Sequence, residues 1–279
     1  MGSLIKKLKI INFKLKNKNL FVFFGGINLN RYFEIFPENL INKNKRDFIL
    51  LTIPKTGTHL ILKCLILLTA SNTKNRKIRA LKETIKDKEE FQKIFKNNDD
   101  FTTAHFFYSH YYIHNFYSKK IISLRDPRDQ LVSWVFHQIK FLEKENASNF
   151  NKDEIQNRLK KTLKDEIEGK SNINLKAHYK ELISFFKFPY CFIRFEDLIG
   201  EKGGGSIERQ KKAIKKIANY LKKDIKDNQL EFIISNLFGS ESPYFRKGII
   251  NQWKDYFDEK INNLFYEAFG DITEMLGYK

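Results

Sequence analysis

The turn at residues 53–59 has the residue types of an anion-binding loop. Its letters are Ile-Pro-Lys-Thr-Gly-Thr-His, and it joins two strongly apolar runs. A turn between a buried strand and a helix presents free backbone N–H groups and the positive end of the helix dipole. Gly57 lets the backbone approach a phosphate, Lys55 adds a charge and Thr58 a hydroxyl. An ordinary strand-to-helix turn is the alternative. A P-loop kinase is disfavoured, because Lys precedes Gly here.

Two further segments have residues that suit phosphate. Arg125 ends the apolar run 119–125, and Ser133 follows eight residues later. Ligands of open parallel sheets bind at the carboxyl ends of the strands, so Arg125 is expected in that crevice. Arginine and serine can then converge on one anion. Arg246, Lys247 and Gly248 lie in an irregular segment that suits a phosphate clamp. Each segment alone also fits an ordinary surface.

Apolar strands and helices alternate along the chain around these segments. The runs 46–53, 101–106, 119–125 and 188–198 predict strands, and most intervening segments predict helices. This alternation predicts an α/β fold, with a central parallel sheet flanked by helices in a single domain. We expect that domain over 46–279, after a basic N-terminal tail or helix at 1–45. The segment 201–206 predicts a flexible loop, followed by a helix that begins at Ser206.

Composition narrows the function classes. The chain has 279 residues, of which 42% are hydrophobic and 15% aromatic, with a formal net charge of +18. That apolar content excludes a disordered polybasic chain. Two cysteines, Cys64 and Cys191, exclude a disulfide framework and are predicted to be reduced core residues. The charge fits either a compositional bias towards lysine or a selected anionic partner.

Nothing in the sequence predicts a membrane span or a secretory signal. No apolar run reaches the ~18 residues that a span needs. Residues 1–24 alternate Lys with Leu and Ile, so they fit a solvated tail or a basic helix on an anionic membrane surface. We therefore expect a cytoplasmic location, with peripheral membrane contact left open.

Four motifs in order resemble those of sulfotransferases that use 3′-phosphoadenosine 5′-phosphosulfate (PAPS). The segment 54–58 is similar to the family's 5′-phosphosulfate loop, which is P-loop-like. Arg-Asp-Pro-Arg-Asp at 125–129, with Ser133, is similar to its 3′-phosphate motif. Phe-Glu-Asp-Leu at 195–198 resembles its Tyr-Glu-Asp-Leu strand end, and 246–254 resembles its C-terminal Arg-Lys-Gly and Trp-Lys signature. The resemblance extends over 46–279 and includes features of bacterial-type members.

The resemblance implies a cofactor, a reaction and a set of site residues. PAPS would donate a sulfuryl group to a hydroxyl or amine and leave as 3′-phosphoadenosine 5′-phosphate (PAP), without a metal. The residues implied for the 5′-phosphosulfate are Lys55, Thr56, Gly57, Thr58 and His59. Those implied for the 3′-phosphate are Arg125, Ser133, Arg246, Lys247 and Gly248. Phe195 would lie against the adenine, and Lys55 and Ser133 count as catalytic.

The resemblance also implies a general base, His105. The family's base lies in Lys-Thr-His-Leu-Pro, and Thr103-Ala-His105-Phe-Phe occupies that place. A histidine with an unperturbed pKa of about 6.5 suits proton abstraction. Thr103 and Phe106-Phe107 depart from the pattern and keep a catalytically degenerate PAPS- or PAP-binding member as an alternative. In the phosphosulfate loop, His59 stands where many members of the family have a hydroxyl residue, and Leu60 stands where they have a Trp.

Partners are the least specified part of the prediction. The aromatic run 105–117 fits either the wall of an acceptor pocket or a packed cluster, and His110 and His114 are not expected to hold a metal. The acceptor is expected to be a small molecule or a glycan. A basic nucleic-acid-binding protein is the alternative from another class, but lysines spread along the chain disfavour it. Oligomeric state stays open.

Overall fold

Four short parallel strands form a sheet at the centre of the described chain. The computed structural model describes residues 29–36, 48–69, 102–105, 119–171, 173–239 and 245–278. Within them the strands are β1 (Phe48–Thr52), β2 (Thr102–His105), β3 (Lys119–Leu124) and β4 (Cys191–Arg194). Their spatial order is β2-β1-β3-β4, and every pairing is parallel. Each of the four predicted runs contains one strand, and the parallel arrangement is confirmed.

Helices cover both faces of this sheet, as the α/β prediction requires. In the described ranges they are α1 (Leu29–Ile35), α2 (Thr58–Thr69), α3 (Pro127–His137), α4 (Lys152–Ile167), α5 (Leu175–Ser184), α6 (Phe195–Leu198), α7 (Ile207–Tyr220), α8 (Asp227–Leu237) and α9 (Glu259–Met275). A π-helical turn, Gln138–Leu142, continues α3, and Gln252–Asp255 is a 3₁₀ turn. The predicted fold class is therefore confirmed.

The strands divide the core into two layers because successive side chains alternate between faces. Phe48 and Leu50 of β1 pack with α2, α7 and α8 on one face. Ile49 and Leu51 pack with α3, α4, α5 and α9 on the other. Cys64 and Cys191 are free and buried in the first layer. Burial raises the pKa of the Cys191 thiol to about 11, so the reactive thiolate is disfavoured at neutral pH.

Two helix starts have side-chain caps, one of them at Ser206, where a helix was predicted to begin. Asp126 Oδ1 accepts a hydrogen bond from the Arg128 N–H at 2.9 Å, and Pro127 is the first residue of α3. Ser206 caps α7 by accepting from the Arg209 N–H. These contacts satisfy N–H groups that have no partner within their own helix. Asp126, which directly follows Arg125, therefore fixes where α3 begins.

Two local predictions were wrong, and one helix was not predicted. Residues 195–198 were expected to continue a strand, but they form α6. The segment 201–206 was expected to be a flexible loop; instead Gly203 is buried, and its carbonyl accepts from the Ile250 N–H at 3.0 Å. Helix α8 was not predicted, although Leu230, Ile233 and Leu237 have helical spacing and are buried. The first two errors come from contacts with distant parts of the chain.

The described part of the predicted N-terminal tail or helix packs on the core. In α1, Tyr32 and the following Phe36 are almost fully buried, and the Tyr32 hydroxyl donates to the Leu67 carbonyl at 2.9 Å. The Phe36 ring meets Phe232 of α8 edge-on. Residues 1–24 lie outside the described chain. No helix in the described ranges combines the length and apolar character needed to cross a membrane.

Candidate active site

The β1–α2 loop lies where the order of the sheet reverses. The chain passes from β1 to β2 on one side and then to β3 on the other, so the carboxyl ends of β1 and β3 border a crevice. Lys55 follows β1, and Arg125 follows β3. The sheet therefore brings together two cations that are 70 residues apart.

Three side chains hold the carbonyl groups of this loop. Gln130 Nε2 donates to the Pro54 carbonyl at 2.6 Å, and Ser123 Oγ donates to the Thr56 carbonyl at 2.5 Å. Arg125 Nη1 donates to the Lys55 carbonyl at 3.1 Å. These bonds fix the loop at the N-terminal end of α2, where the helix dipole is positive and an anion is favoured. Ser123 and Gln130 were missed in the sequence, which has no local signal for contacts this distant.

Two left-handed residues give the loop its shape. Lys55 has φ +72° and Gly57 φ +90°. A Cβ added at Gly57 would lie 2.5 Å from Cδ2 of Phe195, so only glycine fits there. Thr56 Oγ1 donates back to the Ile53 carbonyl at 2.7 Å, and Thr58 Oγ1 to Thr52 Oγ1 at 2.9 Å. The predicted roles of Gly57 and of both threonines towards an anion stay predictions.

Arg125 connects the loop to two other segments. Its Nη2 donates to the Ile249 carbonyl at 3.3 Å, and its guanidinium carbon lies 4.3 Å from the centre of the Phe195 ring. The side chain is buried, and its Nε has no hydrogen-bond partner among the described residues. A buried donor without a partner costs free energy, so a ligand atom that accepts a hydrogen bond from this Nε would stabilise the site.

Phe195 lies in α6, against Gly57 and under Arg125. The ring is only 5% exposed. Its neighbour Glu196 accepts from the Asp126 N–H at 2.9 Å and from the Tyr278 hydroxyl at 2.9 Å, which ties α6 to α3 and the C-terminal end. The structure therefore gives Phe195 a packing role, and its contact with an adenine stays a prediction.

Asp129 anchors the C-terminal basic segment to α3. Its carboxylate is buried and accepts from the Asn251 N–H at 2.7 Å and from the Trp253 N–H at 2.9 Å. Arg128 pairs with Asp126 at 2.7 Å and packs on the Trp253 ring at 4.2 Å. The anion-binding prediction for this motif concerned Arg125 and Ser133; its two aspartates and its second arginine hold the structure together.

We expect Asp129→Ala to lower the free energy of unfolding by about 2–4 kcal/mol, because two backbone donors lose their acceptor. The affinity of the protein for an anion bound by Arg246 should fall too, since Asp129 holds the C-terminal segment that contains Arg246. Denaturant unfolding measures the first effect, with Asp271→Ala, at an exposed carboxylate of α9, as the matched control. Asp129→Asn keeps one acceptor oxygen and should show a smaller loss. A change below about 1 kcal/mol in both Asp129 variants would contradict this role.

The C-terminal segment brings Arg246 to Lys55 and Ser133. These three residues line one open cavity of about 480 Å³. The Arg246 guanidinium carbon lies 4.1 Å from the centre of the Phe136 ring, and its Nη2 donates to Gln252 Oε1. Lys247 is exposed, and Gly248 has φ +65°. Lys247 and Gly248 directly follow a cavity residue in the sequence, and Arg125 contacts the Lys55 carbonyl, but these three residues are not among those that line the cavity.

Burial and mutual repulsion alter the charges in this cavity. Burial lowers the pKa of Lys55 to about 8, with further lowering by the positive charges of Arg125, Arg246 and Lys140. Burial likewise lowers the pKa of Arg246 to about 10. The cations thus destabilise one another, and an anion bound among them would relieve that repulsion.

His105 is the last residue of β2, beside the end of β1. Its backbone is in register with Thr52, three residues before Lys55. The histidine is therefore at the same edge of the sheet as the loop. Residues 106–118, which contain most of the aromatic run with His110 and His114, lie outside the described chain. Within the described residues, no group of three or more His, Cys, Asp or Glu side chains could hold a metal ion.

Comparison with known proteins identifies the family. The model of the sulfotransferase domain matches residues 45–277, so the chain belongs to the sulfotransferase family, a class of transferases that move a sulfuryl group. Among solved structures, the chain is similar to the mouse sulfotransferase SULT7A1 in complex with PAP, with a TM-score of 0.52 and 19% identity. The match covers 87% of this chain and 91% of the mouse chain, and it shows a common fold.

Proposed function

We propose that this protein transfers a sulfuryl group from PAPS to a hydroxyl or amine of a small-molecule or glycan acceptor. One observation carries the proposal: Lys55, Ser133 and Arg246, from three distant segments, line one cavity next to the buried Arg125. The PAP-bound state of the mouse relative supports the choice of nucleotide. The family model supports the reaction type.

The donor set fits a nucleotide with phosphate groups at both ends. The Nε of Arg125 has no partner among the described residues, and Lys55 and Arg246 repel one another. We assign Lys55, Thr56, Gly57, Thr58 and the His59 amide to the 5′-phosphosulfate. Arg125, Ser133, Arg246, Lys247 and Gly248 are assigned to the 3′-phosphate, and Phe195 to the adenine. Arginine forks and backbone N–H groups are the donors that phosphate oxygens prefer.

Each proposed catalytic residue has one task. When bound, PAPS supplies the sulfuryl group, whose bond to the 5′-phosphate oxygen breaks as the bond to the acceptor oxygen forms. His105 takes the proton from the acceptor hydroxyl as general base. Lys55 Nζ holds a positive charge beside the 5′ end, where negative charge develops, and Ser133 orients the 3′ end through its hydroxyl. Lysine and backbone amides fill this role without a metal.

A screen of acceptors with radiolabelled PAPS tests this function. Phenols, steroids, sugars and lipid-linked glycans cover the main hydroxyl classes, and we expect label to pass to members of at least one class. Labelled product that is lost in Lys55→Met would support the assignment. Binding of PAP without transfer to any class would instead support the alternative, a catalytically degenerate family member that binds the nucleotide. That alternative was kept because Thr103 and Phe106-Phe107 depart from the family's pattern. Failure to bind PAP would overturn the proposal.

A further inference from the structure

The glycine loop, residues 200–205, joins α6 to α7 and folds on its own backbone. The Gly200 carbonyl accepts hydrogen bonds from the Gly203 N–H at 3.1 Å and from the Gly205 N–H at 2.9 Å. Glu201–Gly203 form a 3₁₀ turn in which Gly203 is buried. None of these residues is assigned to the nucleotide or to the acceptor, so a glycine-rich, buried loop here has no role in the proposed function as it stands.

The glycine loop contacts the clamp segment, residues 246–250, backbone to backbone. The Gly203 carbonyl accepts a hydrogen bond from the Ile250 N–H at 3.0 Å. A Cβ added at Gly203 would lie 2.5 Å from the carbonyl oxygen of Gly248, closer than the 3.0 Å that such atoms tolerate. Only glycine at 203 therefore lets the clamp segment approach the loop this closely.

The contacted stretch of the clamp segment is also the stretch that meets Arg125. The Ile249 carbonyl accepts from Arg125 Nη2 at 3.3 Å, and Ile249 lies between Gly248 and Ile250. The glycine loop and Arg125 thus contact three consecutive residues. Because Arg125 and Gly248 are both assigned to the 3′-phosphate, the contact with Gly203 sets the spacing between two parts of that site.

A second anchor holds the chain just beyond the clamp segment. Asp129 accepts from the N–H groups of Asn251 and Trp253, as described above. Gly203 acts before that point, next to the residues assigned to the ligand. Donors of a binding site must be held to about 0.5 Å. An alanine at 203 would have to lengthen its contact with the Gly248 oxygen by about 0.5 Å, which equals that tolerance.

We propose that Gly203 is a positioning residue for the 3′-phosphate: its backbone holds Gly248 and Ile250 so that the clamp segment and Arg125 meet the same phosphate group. This inference rests on the proposed function, because the 3′-phosphate belongs to the nucleotide assigned there. It adds a residue that touches no ligand and lies outside the phosphate-binding motifs.

Calorimetry with two nucleotides tests the proposal. In Gly203→Ala the affinity for PAP should fall at least about ten-fold, while that for adenosine 5′-phosphate, which lacks the 3′-phosphate, changes less than about three-fold. A merely structural role would lower both affinities or neither. Gly270→Ala is the matched control, because its new Cβ would make an ordinary contact of 3.5 Å with Cδ1 of Tyr266 in α9. It should keep both affinities.

A double variant separates the contact with Gly248 from local packing. A Cβ at Gly203 would also overlap the side chain of Ile199, a buried residue at the end of α6. Ile199→Ala/Gly203→Ala removes that overlap and keeps the one with the Gly248 carbonyl, so it should fold and show the same selective loss of PAP affinity. Ile199→Ala alone should keep the wild-type preference for PAP. The double variant decides the question if Gly203→Ala does not fold.

The outcomes separate this proposal from the function on which it rests. A folded Gly203→Ala or double variant whose preference for PAP stays within about three-fold of wild type would overturn it. Equal losses for the two nucleotides, or a selective loss in Ile199→Ala alone, would overturn it as well. Wild-type protein that fails to bind PAP, or that binds both nucleotides equally, would instead reject the proposed function, and that titration precedes the others.

Discussion

Turnover of Lys55→Met should fall by about 10²–10³, the usual loss when one donor to a developing negative charge is removed. Lys55 is the lysine of the β1–α2 loop, and it lines the cavity with Ser133 and Arg246. Methionine keeps a long side chain without the charge. Initial rates of transfer from PAPS measure the effect, and Lys212→Met, at an exposed position of α7, is the matched control.

The Lys55→Met variant should be at least as stable towards unfolding as the wild-type protein. The folded state lowers the pKa of Lys55 to about 8, whereas an unfolded lysine titrates near 10.4. Between these values the unfolded chain binds more protons, so this group makes stability rise as pH increases from about 8 to 10. Wild-type protein should therefore gain more stability than Lys55→Met when denaturant unfolding is compared at these two pH values. A Lys55→Met variant that is less stable than wild type at neutral pH and keeps normal turnover would contradict both claims, the unfavourable burial of Lys55 and its part in catalysis.

His105→Ala should lower turnover by about 10²–10⁴, the range for loss of a general base, with PAP affinity nearly unchanged. The reason is position: His105 ends β2 next to the edge occupied by the loop, and β2 contributes no residue assigned to the nucleotide. Rates under saturating PAPS, together with PAP titrations, measure the two effects separately.

Imidazole rescue makes the His105 prediction specific. Added imidazole should restore part of the turnover of His105→Ala, because it can occupy the space and accept the proton. It should not restore Lys55→Met, which lacks a charge rather than a base. Turnover of His105→Ala within three-fold of wild type would assign the base to another residue.

Much of the fold, and the position of the segments proposed to bind phosphate, could be predicted because their signals are local. The residues of the β1–α2 loop lie between an apolar strand and an apolar helix, and Arg125 ends a strand before a proline-started helix. Parallel strands then bring both to one edge. Helix α8 had a local signal as well, in its buried Leu230 and Ile233, and it could have been predicted.

The remaining features depend on contacts that leave no local pattern. Asp129 accepts from backbone groups 122 and 124 residues away, which no window of sequence contains. The strand ends at Arg194 because Glu196 bonds to Asp126 and Tyr278, although the letters 191–195 favour extension. The π-helical turn Gln138–Leu142 is a further example, because the local sequence does not distinguish it from a continuing α-helix.

A calorimetric comparison of PAP with adenosine 5′-phosphate tests the central claim most directly. The two ligands differ in the 3′-phosphate, to which Arg125, Ser133, Arg246, Lys247 and Gly248 are assigned. In buffer that contains EDTA, we predict that PAP binds at least about 100-fold more tightly, because charge-assisted hydrogen bonds contribute about 1.5–3 kcal/mol each. Equal affinity for the two nucleotides, or no heat with millimolar PAP and folded protein, would contradict the account.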